Sequence, residues 1–201
     1  MSMRIGVLGG TFDPIHHGHI RLAKIAYEDL SLNKLLFVPS GNSYMKDNVS
    51  SAIVRKEMVD IALLKYKDFE CCDVDIVRVG RTYTFDTLTD IKLKYPDSEI
   101  FFIIGSDTLF TMCTWYRIED VLSMCTVVVM SREEDIVSDI QNKIDFLCIN
   151  SNCSIIYLKN NALVISSSEI KTAIKNKDYE FVNQYLDKEV IDYIKLMKLY
   201  E

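Results

Sequence analysis

Only three prolines and seven glycines occur among the 201 residues. That is too few for a collagenous, low-complexity or linker-rich chain, and no Ser- or Pro-rich stretch or solenoid-length repeat divides it. Long hydrophobic runs are missing too: the apolar run Ile100 to Ile104 stops at Gly105, far short of the roughly 20 residues that cross a bilayer. Nor is there an excess of positive charge. The 29 acidic and 23 basic side chains leave a formal charge of -6, which argues against a broad nucleic-acid surface, because counterion release needs clustered Lys and Arg. Any anionic ligand must therefore be met locally. The six cysteines (Cys71, Cys72, Cys113, Cys125, Cys148 and Cys153) form no C-x-x-C pair, and no charged-then-apolar leader precedes the first strand-like run. These features predict reduced thiols, a cytoplasmic location, and neither membrane nor nucleic-acid partners.

What is present is an ordinary globular composition, 49% apolar against 26% charged, in a chain long enough to bury a real core. We expect a single domain spanning residues 1–201. Oligomeric state is not fixed by these properties, and a homo-oligomer is compatible with them.

Apolar runs and amphipathic stretches alternate along the chain. Met3 to Leu8 is a strand-like run closed by Gly9-Gly10, and Ile20, Ala23, Tyr27 and Leu30 then recur at helical spacing. Lys34 to Val38 repeats the strand signal, followed by a helix face of Val54, Met58, Ile61 and Ala62. Cys72, Val74 and Ile76 alternate as a half-buried strand would, and Leu88, Ile91 and Tyr95 give a helix ended by Pro96. Glu99 to Ile104 predicts a buried strand leading through Gly105-Ser106-Asp107 into a helical stretch containing Trp115. Thr126 to Met130 and Ser154 to Leu158 are further strands around a helix marked by Ile136, Ile140 and Ile144, and the segment from about 168 to 201 is helical. This order predicts an α/β fold: a Rossmann-like, doubly wound parallel sheet with a helical C-terminal portion. Such sheets bind ligands beyond the carboxyl ends of their strands, here the loops after Leu8, Val38, Ile104 and Met130.

All three histidines, His16, His17 and His19, fall within four positions between the first glycine turn and the first helix. Gly9 and Gly10 let the backbone approach a ligand, and the free amides of a helix starting near Gly18 face the same space with a positive dipole end. Imidazole N–H groups there could clamp phosphate oxygens. A purely structural turn and a metal site are the alternatives, the latter without a Cys, Asp or Glu at ligand-like spacing. A dehydrogenase is excluded because the loop lacks G-x-G-x-x-G and the acidic residue that follows it.

The run Gly9-Gly10-Thr11-Phe12-Asp13-Pro14-Ile15-His16-His17-Gly18-His19 resembles the G-G-T-F-D-P-x-H-x-G-H signature of the nucleotidyltransferase superfamily. Later blocks resemble the bacterial nicotinate-nucleotide adenylyltransferases, and the similarity extends from Met3 to about Tyr200. They are Phe37-Val38-Pro39-Ser40-Gly41-Asn42 with Lys46, Arg81 to Leu88, Ile104-Gly105-Ser106-Asp107, Trp115-Tyr116, and Ile165-Ser166-Ser167-Ser168-Glu169-Ile170-Lys171.

The resemblance implies a reaction in which nicotinate mononucleotide attacks the α-phosphorus of ATP, with Mg²⁺ carried by ATP as the cofactor. His16, His19 and Lys46 would be catalytic. Gly9, Gly10, Thr11, Phe12, Gly18, Gly105, Ser106, Asp107, Arg132, Ile165, Ser166, Ser167, Ser168 and Lys171 would bind ATP. Ser40, Gly41, Asn42, Lys46, Thr82, Tyr83, Thr84, Trp115 and Tyr116 would bind the pyridine nucleotide, Trp115 by stacking on the ring. Read without the resemblance, a lone tryptophan such as Trp115 is more often a core residue than a ligand platform, the three serines are equally a helix N-cap, and Arg132 is equally a solvated side chain. Two positions depart from the family pattern: Met45 stands where a histidine often precedes the lysine, and Lys171 replaces an arginine, a point charge for a bidentate fork. Adenylation of nicotinamide mononucleotide or phosphopantetheine, and non-catalytic nucleotide sensing, are the rival functions.

Overall fold

The computed structural model describes residues 2–41, 49–130, 136–149, 153–159 and 165–201. Among the described residues six strands form one sheet in the order β3-β2-β1-β4-β5-β6, and every neighbouring pair is parallel. They are β1 (Arg4–Gly10), β2 (Lys34–Pro39), β3 (Phe69–Cys71), β4 (Glu99–Gly105), β5 (Thr126–Met130) and β6 (Ser154–Leu158). The register sets Leu8 beside both Phe37 and Ile103. This is the doubly wound, Rossmann-like α/β arrangement expected.

Side chains of a strand alternate between faces, and both faces of this sheet are covered. Leu8, Leu35, Phe37, Phe101, Ile103 and Val128 join one core. Helices α1 (His17–Asp29), α2 (Ala52–Leu63), α8 (Ser167–Lys175), α9 (Tyr179–Tyr185) and α10 (Lys188–Leu196) contribute to it. Ile5, Val7, Leu36, Val38, Phe102 and Val129 face the other core. There they meet α4 (Thr84–Lys94), α5 (Ser106–Thr111), α6 (Ile118–Met124) and α7 (Val137–Cys148). Burying a Val, Leu or Ile side chain contributes about 1.5 to 3 kcal/mol, so the strand ends that carry the loops are a stiff platform.

Three expectations are corrected. Cys72, Val74 and Ile76 do not make a strand: β3 ends at Cys71, and Val74–Val77 is a one-turn helix, α3. Trp115 is not helical. A 3-10 turn, Met112–Thr114, follows α5, Trp115 is extended, and Arg117 takes a left-handed conformation before α6 begins. Cys148 and Cys153 are joined as a disulfide across the connection from α7 to β6, while Cys71, Cys72, Cys113 and Cys125 are free. Their two Cα atoms lie 5.5 Å apart, inside bridging distance, a proximity that their spacing in sequence does not reveal.

A scarcity of glycine leaves its mark at helix ends. After α1 the Leu32 amide donates to Tyr27 and the Ser31 amide to Glu28, a Schellman closure with Ser31 at φ 47°. Lys177 and Lys198 occupy the same left-handed position after α8 and α10.

Candidate active site

β1 and β4 are neighbours, yet β1 runs into α1 on one face of the sheet and β4 into α5 on the other. A crevice therefore opens between their carboxyl ends, the switch point where open α/β sheets bind ligands.

The loop after β1 carries the histidines. Phe12, at φ 51°, sends its ring into the core against Phe37 and edge-on to His19. His16 is the N-cap of α1, and its backbone N–H donates to Nδ1 of His19 at 3.2 Å. That bond fixes the neutral His19 ring with its proton on Nε2. The two rings stack with centroids 3.7 Å apart. Gly18 is required between them, since a Cβ there would lie 2.9 Å from His16 Nδ1.

His16 is only 7% exposed. Burial, with a smaller contribution from His17 and against the pull of Glu169, lowers its imidazole to about 4, so it is neutral at physiological pH. Its Nδ1 and the hydroxyl of Ser106 are buried polar atoms without a hydrogen-bond partner among the described residues. They belong to the loops after β1 and β4, one on each strand of the switch point. His17 serves elsewhere: its ring meets the Gln184 carbonyl at 3.1 Å and Asp187 at 3.2 Å, tying α1 to the helices near the chain's end.

A second helix start joins the first. Ser166 caps α8 in a reciprocal box with Glu169, accepting from the Glu169 amide while its own amide donates to the carboxylate at 2.8 Å. Its hydroxyl is thus engaged as a cap. Ser167 Oγ donates to the Pro14 carbonyl at 3.0 Å, and Ile165 lies 3.1 Å from where a Gly18 Cβ would be. The starts of α1 and α8 therefore stand side by side, and their free amides supply positive partial charge to one place. Lys171 does not stand free there: its ammonium is 2.7 Å from Asp13, a carboxylate only 2% exposed.

Asp13 also accepts from the Tyr200 hydroxyl at 2.7 Å and the Ser50 amide at 3.3 Å. Burial alone would raise this carboxyl, but the bonds from Lys171, Tyr200 and Ser50, together with the lysine charge, hold it below the ordinary carboxylate value. Next to it lies Arg55, 2% exposed, whose fork donates to the carbonyls of Thr11 (2.7 Å), Ser40 (2.5 Å), Gly41 (3.2 Å) and Ser50 (2.9 Å). One guanidinium thus holds together the loops after β1 and β2. Desolvation lowers its pKa, partly offset by Asp13 and Tyr200, yet an arginine stays charged under these conditions. Arg55 and Tyr200 were not among the predicted site residues. Arg55 could have been found, because it shares the i, i+3, i+4, i+7 stripe of Met58, Val59 and Ala62; a charge on a core stripe asks for a partner.

The residues expected to meet the pyridine nucleotide frame the far side. Gly41 packs so closely on the following segment that a Cβ would sit 2.0 Å from the Asp75 carbonyl oxygen. Asp75 itself is buried and accepts from the Thr87 hydroxyl at 2.6 Å. Burial raises its carboxyl, opposed by Thr87 and Arg78. Tyr83 caps α4, so the first amides of that helix, beginning at Thr84, lie beside Thr82 and Tyr83. Tyr116, 54% exposed, leans on Tyr83 with the rings tilted by 42° and their centroids 4.9 Å apart, and Trp115 is half-buried, edge-on to Phe102 of β4 at 6.1 Å. Gly105 faces open space, with Ser106 buried and Asp107 exposed just beyond it. Asn42, Met45, Lys46 and Arg132 lie outside the described residues. Among the described residues, no three His, Cys, Asp or Glu side chains converge as metal ligands.

The class follows from the family whose model this chain fits: residues 7–173 match the cytidylyltransferase-like family. A Clostridium botulinum protein named "Probable nicotinate-nucleotide adenylyltransferase" is 35% identical over 98% of each chain. A Carboxydothermus hydrogenoformans protein of the same name is 34% identical, again over 98% of both. Solved structures of Plasmodium falciparum nicotinic acid mononucleotide adenylyltransferase, complexed with APC and with NaAD, align with TM-scores of 0.79 and 0.80. They cover 98% of this chain and 97% of theirs at 21% and 22% identity, a likeness that carries the fold. The chain belongs to the cytidylyltransferase-like family and, within it, to the nicotinate-nucleotide adenylyltransferases.

Proposed function

We infer that the chain transfers the AMP part of ATP to nicotinate mononucleotide, forming nicotinate adenine dinucleotide and pyrophosphate, a step of NAD biosynthesis. The observation that carries the site assignment is the convergence of two helix starts on a pair of stacked imidazoles, across the switch point from a half-buried indole. A phosphate oxygen of the mononucleotide attacks the α-phosphorus, the bond from that phosphorus to the bridging oxygen breaks, and its electron pair leaves with pyrophosphate. The nucleophile is already ionised near neutral pH, so the protein need supply neither an attacking side chain nor a strong base. What remains is positioning and neutralisation of charge.

His16 and His19 act as neutral N–H donors to the α- and β-phosphates, aided by the amides at the starts of α1 and α8. One such donor aimed at transition-state charge contributes about 3 to 4 kcal/mol in well-studied enzymes. Gly9, Gly10, Thr11 and the backbone of Phe12 border the phosphates, Gly105, Ser106 and Asp107 the sugar, and Lys46 and Arg132 add charge by family resemblance. Trp115 stacks on the pyridine ring while amides at the start of α4 receive its carboxylate. Mg²⁺ enters as MgATP, part of the substrate; a cation held by phosphate oxygens and water suits a site whose described residues offer no ligand cluster. Residues 1–201 work as one catalytic domain. The NaAD and APC bound in the Plasmodium structures are a dinucleotide of the same kind as the product and an ATP analogue.

Pyrophosphate release is measured with ATP and each mononucleotide in turn. The acid form should be strongly preferred; a several-fold preference for the amide overturns the substrate assignment, and ATP binding without turnover overturns catalysis. Near-normal kcat in His19→Ala at saturating substrates would remove the histidines from their proposed role.

A further inference from the structure

The carboxylate of Asp13 is where four distant segments meet. It lies three residues before His16 and receives Lys171 from α8 and the Ser50 amide from the approach to α2. The Tyr200 hydroxyl completes the set, reaching Asp13 Oδ1 at 2.7 Å across 187 positions of sequence.

The segment that delivers Tyr200 is built for this reach. After α10 the Leu199 amide donates to Ile194 and the Lys198 amide to Lys195, a Schellman closure that turns the chain back, with Lys198 at φ 51°. Tyr200 follows at φ 67°, a conformation uncommon for side chains with a Cβ, held where surrounding contacts over-determine it. Leu199 and the Tyr200 ring pack on the core, the hydroxyl lies 3.8 Å from Met58 Sδ, and the Lys171 ammonium sits 5.5 Å from the ring centre. Tyr200 thus touches both members of the Asp13–Lys171 pair.

An anion beside a triphosphate cradle is unfavourable unless its lone pairs are fully engaged. We propose that Tyr200 is a positioning residue for ATP: acting through Asp13, it fixes the loop from Phe12 to Gly18 and keeps the carboxylate turned away from the phosphates. The inference rests on the adenylyltransferase reading and deepens it.

The test is steady-state kinetics and direct ATP-binding calorimetry on the full chain with Tyr200→Phe, which keeps the ring and removes the donor. The KM for ATP should rise about tenfold, the scale of one hydrogen bond to a charged acceptor. The ATP dissociation constant should rise in parallel, with kcat and the KM for nicotinate mononucleotide within about twofold of native. KM does not depend on how much enzyme is active, so partial unfolding cannot imitate this split. An unchanged KM for ATP in Tyr200→Phe, or an ATP dissociation constant that does not rise with it, overturns the proposal. Failure of the underlying reading would look different: the native chain itself would release no pyrophosphate.

Discussion

His16 should make this protein acid-labile in a way that one substitution removes. Its folded-state pKa of about 4 lies below the ordinary value of 6.5, so the unfolded chain takes up the proton first and stability falls with falling pH. The effect is absent above pH 6.5, grows down to about pH 4, and is constant below that. From the two values the linked loss is about 2 kcal/mol at pH 5 and about 3 kcal/mol at pH 4. Since the ring is nearly fully buried, no large screening discount applies. His16→Asn carries no proton, so its unfolding free energy differs from native by a fixed offset near neutrality, and that offset should shift by roughly 3 kcal/mol in favour of the variant by pH 4. Asp13 and Asp187, both lowered carboxylates, weaken both proteins in acid and cancel in the difference. Urea unfolding followed by circular dichroism at half-unit pH steps measures it. Native and variant curves that stay parallel from pH 7 to pH 4 would refute both the burial argument and the claim that the imidazole is a neutral donor.

Three further outcomes are expected. Arg55→Met strands carbonyls of Thr11, Ser40, Gly41 and Ser50 and should cost about 3 kcal/mol or more. Calorimetry should find the unfolding midpoint lowered by about 6 °C or more; a change under about 2 °C would mean the fork holds nothing. Gly41→Ala drives a Cβ to 2.0 Å from the Asp75 carbonyl, so the loop after β2 must move. The KM for the mononucleotide should rise about tenfold, about 1.4 kcal/mol of lost binding, and unaltered kinetics would count against that loop as part of the site. Ser31→Gly relieves a left-handed residue in the Schellman closure after α1 and should stabilise by about 0.5 to 1 kcal/mol, visible as a midpoint rise of about 1 to 4 °C; a lower midpoint would refute the strain argument.

The sheet was legible because its central strands are buried on both faces and read as unbroken apolar runs, as Ile100 to Ile104 does. The signature loop was legible because its chemistry is contiguous. Failures came where the signal was short or the partner remote. Cys72, Val74 and Ile76 alternate over so few residues that one helical turn fits them as well as a strand. The stretch around Trp115 lost its helix to a 3-10 turn and the left-handed Arg117, which no periodicity announces. Lys171 was read as a cation for phosphate because its charge is visible in sequence, whereas its pairing with Asp13, 158 positions away, is a property of the fold. The resemblance already set His17 apart from His16 and His19, but what it holds instead appears only with Asp187 and Gln184 in view.

The bridge between residues 13 and 200 also bears on how the protein is made. A ribosome builds the β1 loop well before α8 and α10, and after Ser50 the remaining partners that saturate Asp13 emerge only with positions 171 and 200. A nascent chain can lay down β1, α1 and β2 long before then, and such long-range closures come late in folding. Nucleotide affinity should therefore arise abruptly once residue 200 has joined the fold rather than grow with chain length.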